Sequence, residues 1–261
     1  MTYSTLDNQW STYLAGSGSL EQVDRALRFR NVDTTTGQMT NAQIDDYQGL
    51  RRRAYLWRPP LTLTVRARFS HPDGVLSGTA GFGFWNDPFL MTRGRTPALP
   101  RALWFFYASP PSDMRLAQDV PGRGWKAAAI DATRPRALLW APLAPVLVPL
   151  MNVQPIYRRL WPYIQRSLGI SEAPIEADMQ DWHTYTLDWQ VFRARFSADG
   201  TPVLDCAAPR GPLGFVAWLD NQYMVVTPWG RFGYGWLDAP EEQWMEIEDL
   251  EIAGSRHSCV R

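Results

Sequence analysis

Five side chains in this chain of 261 residues carry the chemistry for acid–base work: His183, Asp87, Asp220, Tyr107 and Tyr223. A histidine titrates near neutral pH and moves protons in either direction. Asp87 or Asp220 would orient it or take the complementary role, with Asp113 a further candidate partner. Tyr107 and Tyr223 would donate hydrogen bonds to a developing oxyanion. A lone histidine without a partner at fixed spacing is more often structural, so direct catalysis by His183 is the lesser expectation.

A second set of residues suits noncovalent binding: Trp85, Asn86, Asp87, Trp218, Asp220, Asn221 and Tyr223. Aromatic rings stack on flat apolar faces, while Asn and Asp select the orientation of polar groups. Gly81 and Gly83 would let a ligand approach the backbone beside the rings. Trp104 sits inside the continuous run Leu103-Trp104-Phe105-Phe106-Tyr107 and is read as core rather than site.

Other chemistries have little support. His71, His183 and His257 lack the close spacing of metal ligands, so no metal or other cofactor is expected. The glycines of Gly81-Phe82-Gly83 do not make a dinucleotide fingerprint. Twenty-six basic residues balance 26 acidic ones, and a neutral chain gives no basic groove for nucleic acid. Lys126 is the only lysine, and the run Arg51-Arg52-Arg53 reads as a turn or a solvated strand edge. Cys206 and Cys259 permit one bridge but no disulfide framework. No apolar stretch reaches spanning length and no leader pattern opens the chain, so a soluble cytoplasmic protein without membrane association is expected.

The elements that would position these residues are short strands. Leu61, Leu63, Val65, Ala67 and Phe69 alternate with polar residues, as a half-buried strand requires. Ala26–Arg30, Ala42–Tyr47, Ala80–Trp85, Arg101–Ala108 and Trp125–Asp131 are further strand candidates, after an irregular lead-in over Met1–Gly18. Thr184–Trp189 and Val191–Phe196 are followed by Ala198-Asp199-Gly200-Thr201, a hairpin signal. Leu213–Leu219, Gln222–Thr227 and the alternating Met245–Ile252 complete the series. Glu246 and Glu248 are read as one solvated face of that last strand, with Glu251 on the other.

Residues 135–169 break the pattern. Apolar or aromatic residues at 156, 157, 160, 161, 164 and 168 oppose Arg158, Arg159, Gln165 and Arg166, which is helical spacing. Pro162 is expected to kink that helix or shift its start. The segment reads as a proline-rich, partly helical insertion within one β-sandwich domain spanning residues 1–261. Intramolecular packing is its expected use, ahead of a membrane-surface role.

The stretch Asp181-Trp182-His183-Thr184-Tyr185-Thr186-Leu187-Asp188-Trp189, with the following strand and Asp-Gly turn, resembles a signature of the concanavalin A-like lectin/glucanase superfamily. It is similar in particular to the family-16 glycoside hydrolase branch. Phe215–Asn221 resembles that family's later aromatic strand, and Glu248–Ile252 its closing strand. The resemblance implies an all-β fold, an antiparallel jelly-roll sandwich whose concave face is a carbohydrate-binding surface. Family-16 hydrolases carry their carboxylates as Glu-x-Asp-x-x-Glu on one strand, because retaining hydrolysis needs a nucleophile and an acid/base. No such motif occurs here, and the strand at the expected place holds Leu103–Tyr107 instead. The expected function is therefore noncatalytic binding of a carbohydrate or a small apolar metabolite in an aromatic cleft. The insertion would cover that cleft with apolar side chains. A divergent acid/base enzyme and a protein-interaction scaffold are the alternatives.

Overall fold

The computed structural model describes residues 10–88 and 96–256. Met1–Gln9, His257 and Cys259 lie outside them, so expectations placed there are not addressed. Two seven-stranded antiparallel sheets face each other. The first runs β1 (Ser11–Ala15), β4 (Asn41–Asp45), β14 (Gly214–Asp220), β6 (Thr79–Trp85), β7 (Arg101–Ala108), β9 (Gly124–Asp131) and β10 (Ser171–Pro174). The second runs β13 (Thr201–Ala207), β12 (Arg193–Ala198), β11 (His183–Trp189), β5 (Trp57–Phe69), β17 (Gln243–Arg256), β3 (Ala26–Asn31) and β2 (Ser19–Val23). A small third sheet, β16 (Phe232–Trp236), β15 (Gln222–Val226) and β8 (Asp113–Met114), stands beside the first. Ser11–Ala15 is thus a strand where an irregular lead-in is expected. Its mixed sequence Ser-Thr-Tyr-Leu-Ala gives weak alternation, and pairing with β4 supplies the order.

The period-two pattern of β5 fills the space between the sheets. Leu61, Leu63, Val65, Ala67 and Phe69 are buried there. They join Phe82 and Phe84 of β6, Phe105 and Tyr107 of β7, and Phe215 and Leu219 of β14 in one core. The hairpin β12–β13 turns at Asp199 and Gly200, both at positive φ, as the Asp-Gly pair predicts.

The outer face of the second sheet differs from expectation. Glu246 is buried, not solvated, because the guanidinium groups of Arg28 and Arg68 close on it at 2.6 and 2.7 Å. Arg66 pairs with Glu248, and Arg68 lies over the rings of Trp182 and Trp244. A bulge at Asp249, which has positive φ, shifts the register so that Glu251 opposes Thr64. Glu251 therefore shares the face of Glu246 and Glu248 instead of opposing it.

The insertion contains α1 (Pro135–Leu138), α2 (Ala144–Leu150) and α3 (Gln154–Ser167). Helix α3 starts ahead of the expected position, with Pro155 in its first turn where a missing N–H costs nothing, and continues through Pro162. Tyr157, Trp161 and Ile164 form its buried stripe. They pack with Ala117, Met151 and Ile170 in a second apolar cluster. Arg51–Arg53 is not a strand edge. Arg52 begins a short helical turn and donates to the carbonyls of Asn86, Asp87 and Thr96.

Candidate functional site

The outward face of the first sheet forms a cleft of about 350 Å³. Strand register explains its floor. Trp218 stands opposite Gln43 on one side and Gly81 on the other, and Gly81 opposes Phe106. In the adjoining row Val216, Gly83, Trp104 and Ala128 lie abreast, ending at Glu172. Leu103, Phe105 and Tyr107 point into the sandwich, so the alternate residues Trp104 and Phe106 point into the cleft. A run that is apolar on both faces conceals this alternation in the sequence. Trp104 is consequently a half-buried cleft residue and not core.

Four rings make the floor one aromatic surface. Trp85 and Trp218 are parallel within 5° at 6.3 Å, and Trp104 lies 5.8 and 5.9 Å from them. Trp104 and Phe106 stack at 5.4 Å. Gly81 makes room for this arrangement, since a Cβ there would meet the Trp218 ring at 3.0 Å and the Phe105 carbonyl at 2.3 Å. Both deep indoles are fixed by hydrogen bonds. Trp85 donates to the Tyr47 hydroxyl at 2.8 Å, and Trp218 donates to Thr79 Oγ1 at 2.9 Å.

Asp220 anchors the second of these bonds. Its Oδ1 accepts from the Thr79 hydroxyl at 2.8 Å and from the backbone N–H groups of Thr79 and Gln222. Its Oδ2 accepts from Gln222 Nε2 at 2.9 Å. Burial nevertheless dominates and pushes the carboxyl up to about 6, against the opposing effect of these donors. At the far edge Glu172 faces the cleft with Lys126 at 3.3 Å, both almost wholly buried. Burial raises the Glu172 carboxyl, opposed by Lys126 and by the Ala117 N–H.

The cleft wall is the small third sheet. Asn221 sets the corner where the chain leaves β14 and rises into β15. Its amide donates to the carbonyls of Thr35, Gln38 and Leu237, and its oxygen accepts from Thr40 N–H. Beyond that corner Tyr223, Met224, Val226 and Phe232 face the cleft, with Met114 and Leu116 alongside. No residue from 135 to 169 lines it. The insertion buttresses the wall instead of covering the cleft, through a Trp161 Nε1 bond to the Leu116 carbonyl at 2.9 Å.

Among the residues expected at a site, Trp85, Trp218, Asp220 and Tyr223 line this cleft. Asn86, Asp87, Asn221, Tyr107 and His183 do not. Asn86 ties down the following loop, bonding the Leu99 carbonyl and Arg101 N–H. Asp87 is buried at positive φ and holds Arg52 through its carbonyl. Tyr107 donates to the Leu76 carbonyl inside the sandwich. His183 belongs to the other sheet, with Nδ1 2.6 Å from Asp199 and Nε2 2.9 Å from the Asp178 carbonyl. Gln43, Thr79, Phe106, Glu172 and Gln222 were not singled out by sequence reasoning. Only Phe106 carried a signal, its period-two relation to Trp104. Among the described residues no group of His, Cys, Asp or Glu is gathered to hold a metal ion.

No family model matches the chain, and no curated protein matches it. Solved structures do. A GlcNAcα1-4Gal-releasing endo-β-galactosidase from Clostridium perfringens superposes with a TM-score of 0.52 at 14% identity, over 98% of this chain and 60% of that one. The chain therefore spans less than two thirds of that protein. An immunostimulatory antigen and pseudo β-1,3-glucanase of Mycobacterium tuberculosis gives 0.51 at 12% identity, covering 97% and 94%. A structure described with the endo-acting O-glycanases of human gut microbiota gives 0.50 at 10% identity, covering 97% and 95%. The fold they share is a two-sheet antiparallel β-sandwich of the jelly-roll kind.

Proposed function

We propose that the cleft binds a ligand noncovalently, stacking its flat faces on Trp104, Phe106 and the Trp85–Trp218 pair. Carbohydrate is the first class to consider, because the structures of like fold are named for action on glycans. A less polar metabolite competes with it, since most of the wall is aliphatic or aromatic. One observation carries the noncatalytic reading. The two carboxylates at the cleft, Asp220 on β14 and Glu172 on β10, are four strands apart in the sheet. At the usual strand spacing that is about 19 Å. A retaining pair needs about 5 Å and an inverting pair no more than about 9.5 Å. The strand between them that would bear family-16 carboxylates presents Trp104 and Phe106.

Tryptophan emission titrated with β-1,3-glucan oligosaccharides, β-galactosides and a panel of apolar metabolites tests the proposal. Saturable quenching by one class, lost in Trp104→Ala, is the expected result. No saturation with any of them sinks it and leaves a scaffold that recruits a protein partner.

A second reading rests on Asp220, which lines the cleft with a carboxyl raised to about 6 by burial and would carry the proton in a divergent enzyme. The like fold of glycan-releasing enzymes favours it. New reducing ends from the same glycans, abolished in Asp220→Asn, would establish it, and intact glycans after prolonged incubation would remove it.

A further inference from the structure

Helix α3 hides its apolar stripe, but the segment before it does not. Leu139 is 73% exposed and Val146 63%, with Leu138, Leu143, Leu150 and Val153 exposed beside them. Soluble monomers rarely present so many neighbouring aliphatic side chains without a use for them. The charge around them is one-sided. Residues 132–171 contain five arginines and no acidic residue, in a chain whose net charge is zero. Arg134 is engaged by Asp131 at 3.5 Å, which leaves Arg136, Arg158, Arg159 and Arg166 exposed. Asp113, nearby in the wall, is held by Arg115 at 2.8 Å, and Asp119, which helps raise the Tyr157 hydroxyl, is an exposed acid outside this segment.

We infer that α1, α2 and the connecting segments form a docking face for the surface of an anionic lipid membrane. Exposed aliphatic side chains in a segment whose only charged residues are arginines match the acyl–headgroup boundary, where apolar burial and phosphate attraction add. No helix among the described residues is long and apolar enough to cross a membrane, so the contact is peripheral. A second copy is the poorer occupant, because a two-fold interface would set the same arginines against each other.

The face continues to the cleft. Asn152 Nδ2 bonds the Trp229 carbonyl at 3.3 Å, and Tyr157 meets the Trp229 ring at 5.4 Å. A Cβ on Gly230 would meet a Val148 methyl at 2.6 Å. Phe232 follows two residues later, 74% exposed and also part of the cleft lining. The seated protein would hold the mouth of the cleft at the lipid surface.

Co-sedimentation of the full chain with vesicles of phosphatidylcholine, alone or mixed equally with phosphatidylglycerol, tests this independently of any cleft ligand. The expected result is binding to the mixed vesicles, weak binding to phosphatidylcholine, and loss of binding as salt is raised. The pair L139D/V146D should abolish sedimentation without moving the melting temperature, since both side chains are exposed. The pair R158E/R159E should weaken binding roughly tenfold or more and flatten its salt dependence. Absence of binding to the mixed vesicles overturns the inference, as does wild-type binding by L139D/V146D. Lipid-free self-association that these aspartates abolish would assign the face to a second copy and overturn it equally.

Discussion

Asp220 is a buried acid whose hydrogen bonds are spent on architecture. It holds Thr79, and Thr79 holds the indole of Trp218, so the carboxyl sets the angle of a floor ring. Its proton affinity makes a pH prediction. The carboxyl rises from 3.8 to about 6 on folding. Between those values the folded chain keeps a proton that the unfolded chain has released, so stability falls as pH rises through that window and is level above it. The change is on the order of 3 kcal/mol at about 1.4 kcal/mol per unit. Denaturant unfolding at pH 4 and pH 7 should show wild type losing about that much relative to Asp220→Asn. A gain for wild type over the same interval would mean that the donors outweigh burial. Sequence reasoning reached Asp220, Trp85 and Trp218 through aromatic strands placed by the family resemblance on its concave face, with Gly81 and Gly83 beside Trp85. It did not reach Glu172 or Lys126, whose meeting depends on β10 pairing with β9 across an insertion. Periodicity says nothing about such a pairing.

At the scale of elements, the hairpin of β11, β12 and β13 was the most legible part of the chain, and its histidine the least. The Asp-Gly turn specifies two positive-φ residues, and Asp199 then uses its side chain on the neighbouring strand β11. It accepts from Thr184 N–H at 2.8 Å and meets His183. The Thr184 bond, followed by His183, lowers the Asp199 carboxyl. His183 thus has the partner that a proton carrier needs, but on the sheet opposite the cleft. Replacing His183 by Asn should cost about 1 kcal/mol of stability, the usual worth of one hydrogen bond. It should leave the ligand titration curve of the cleft superimposable on wild type. A shifted binding constant would show coupling between the two sheets. Residues 103–107 taught the reverse lesson. Their composition marked Leu103, Phe105 and Tyr107 as core correctly, but Trp104 and Phe106 on the other face are only half-buried, and hydrophobicity does not tell two apolar faces apart.

For the whole molecule, the core draws side chains from both large sheets, including Phe69 and Leu187 from one and Phe82, Phe105 and Phe215 from the other. Neither sheet has a separate apolar interior, and we expect one cooperative unit. Amide infrared absorbance and the near-ultraviolet dichroism of the core rings should report the same denaturant midpoint. Two separated midpoints would divide the chain into independently stable parts. The expectation of a sandwich rested on strand alternation and turn chemistry, both local signals, and on the resemblance of residues 181–252 to a known family. Of the third sheet only β15 was legible, since β8 has two residues and pairs with it in parallel, over a sequence separation no local pattern encodes.

The indole floor has an optical consequence. Trp85 and Trp104, 5.8 Å apart and inclined by 50°, are close enough for their excited states to mix. Their shared transition splits into bands of opposite sign in the far ultraviolet, superimposed on the signal of the peptide backbone. Dichroism in that region would misstate the β content of this protein, and infrared absorbance avoids the error. The same splitting gives the cleft a label-free reporter, because a guest that slides between or re-angles the rings must change the amplitude of the couplet.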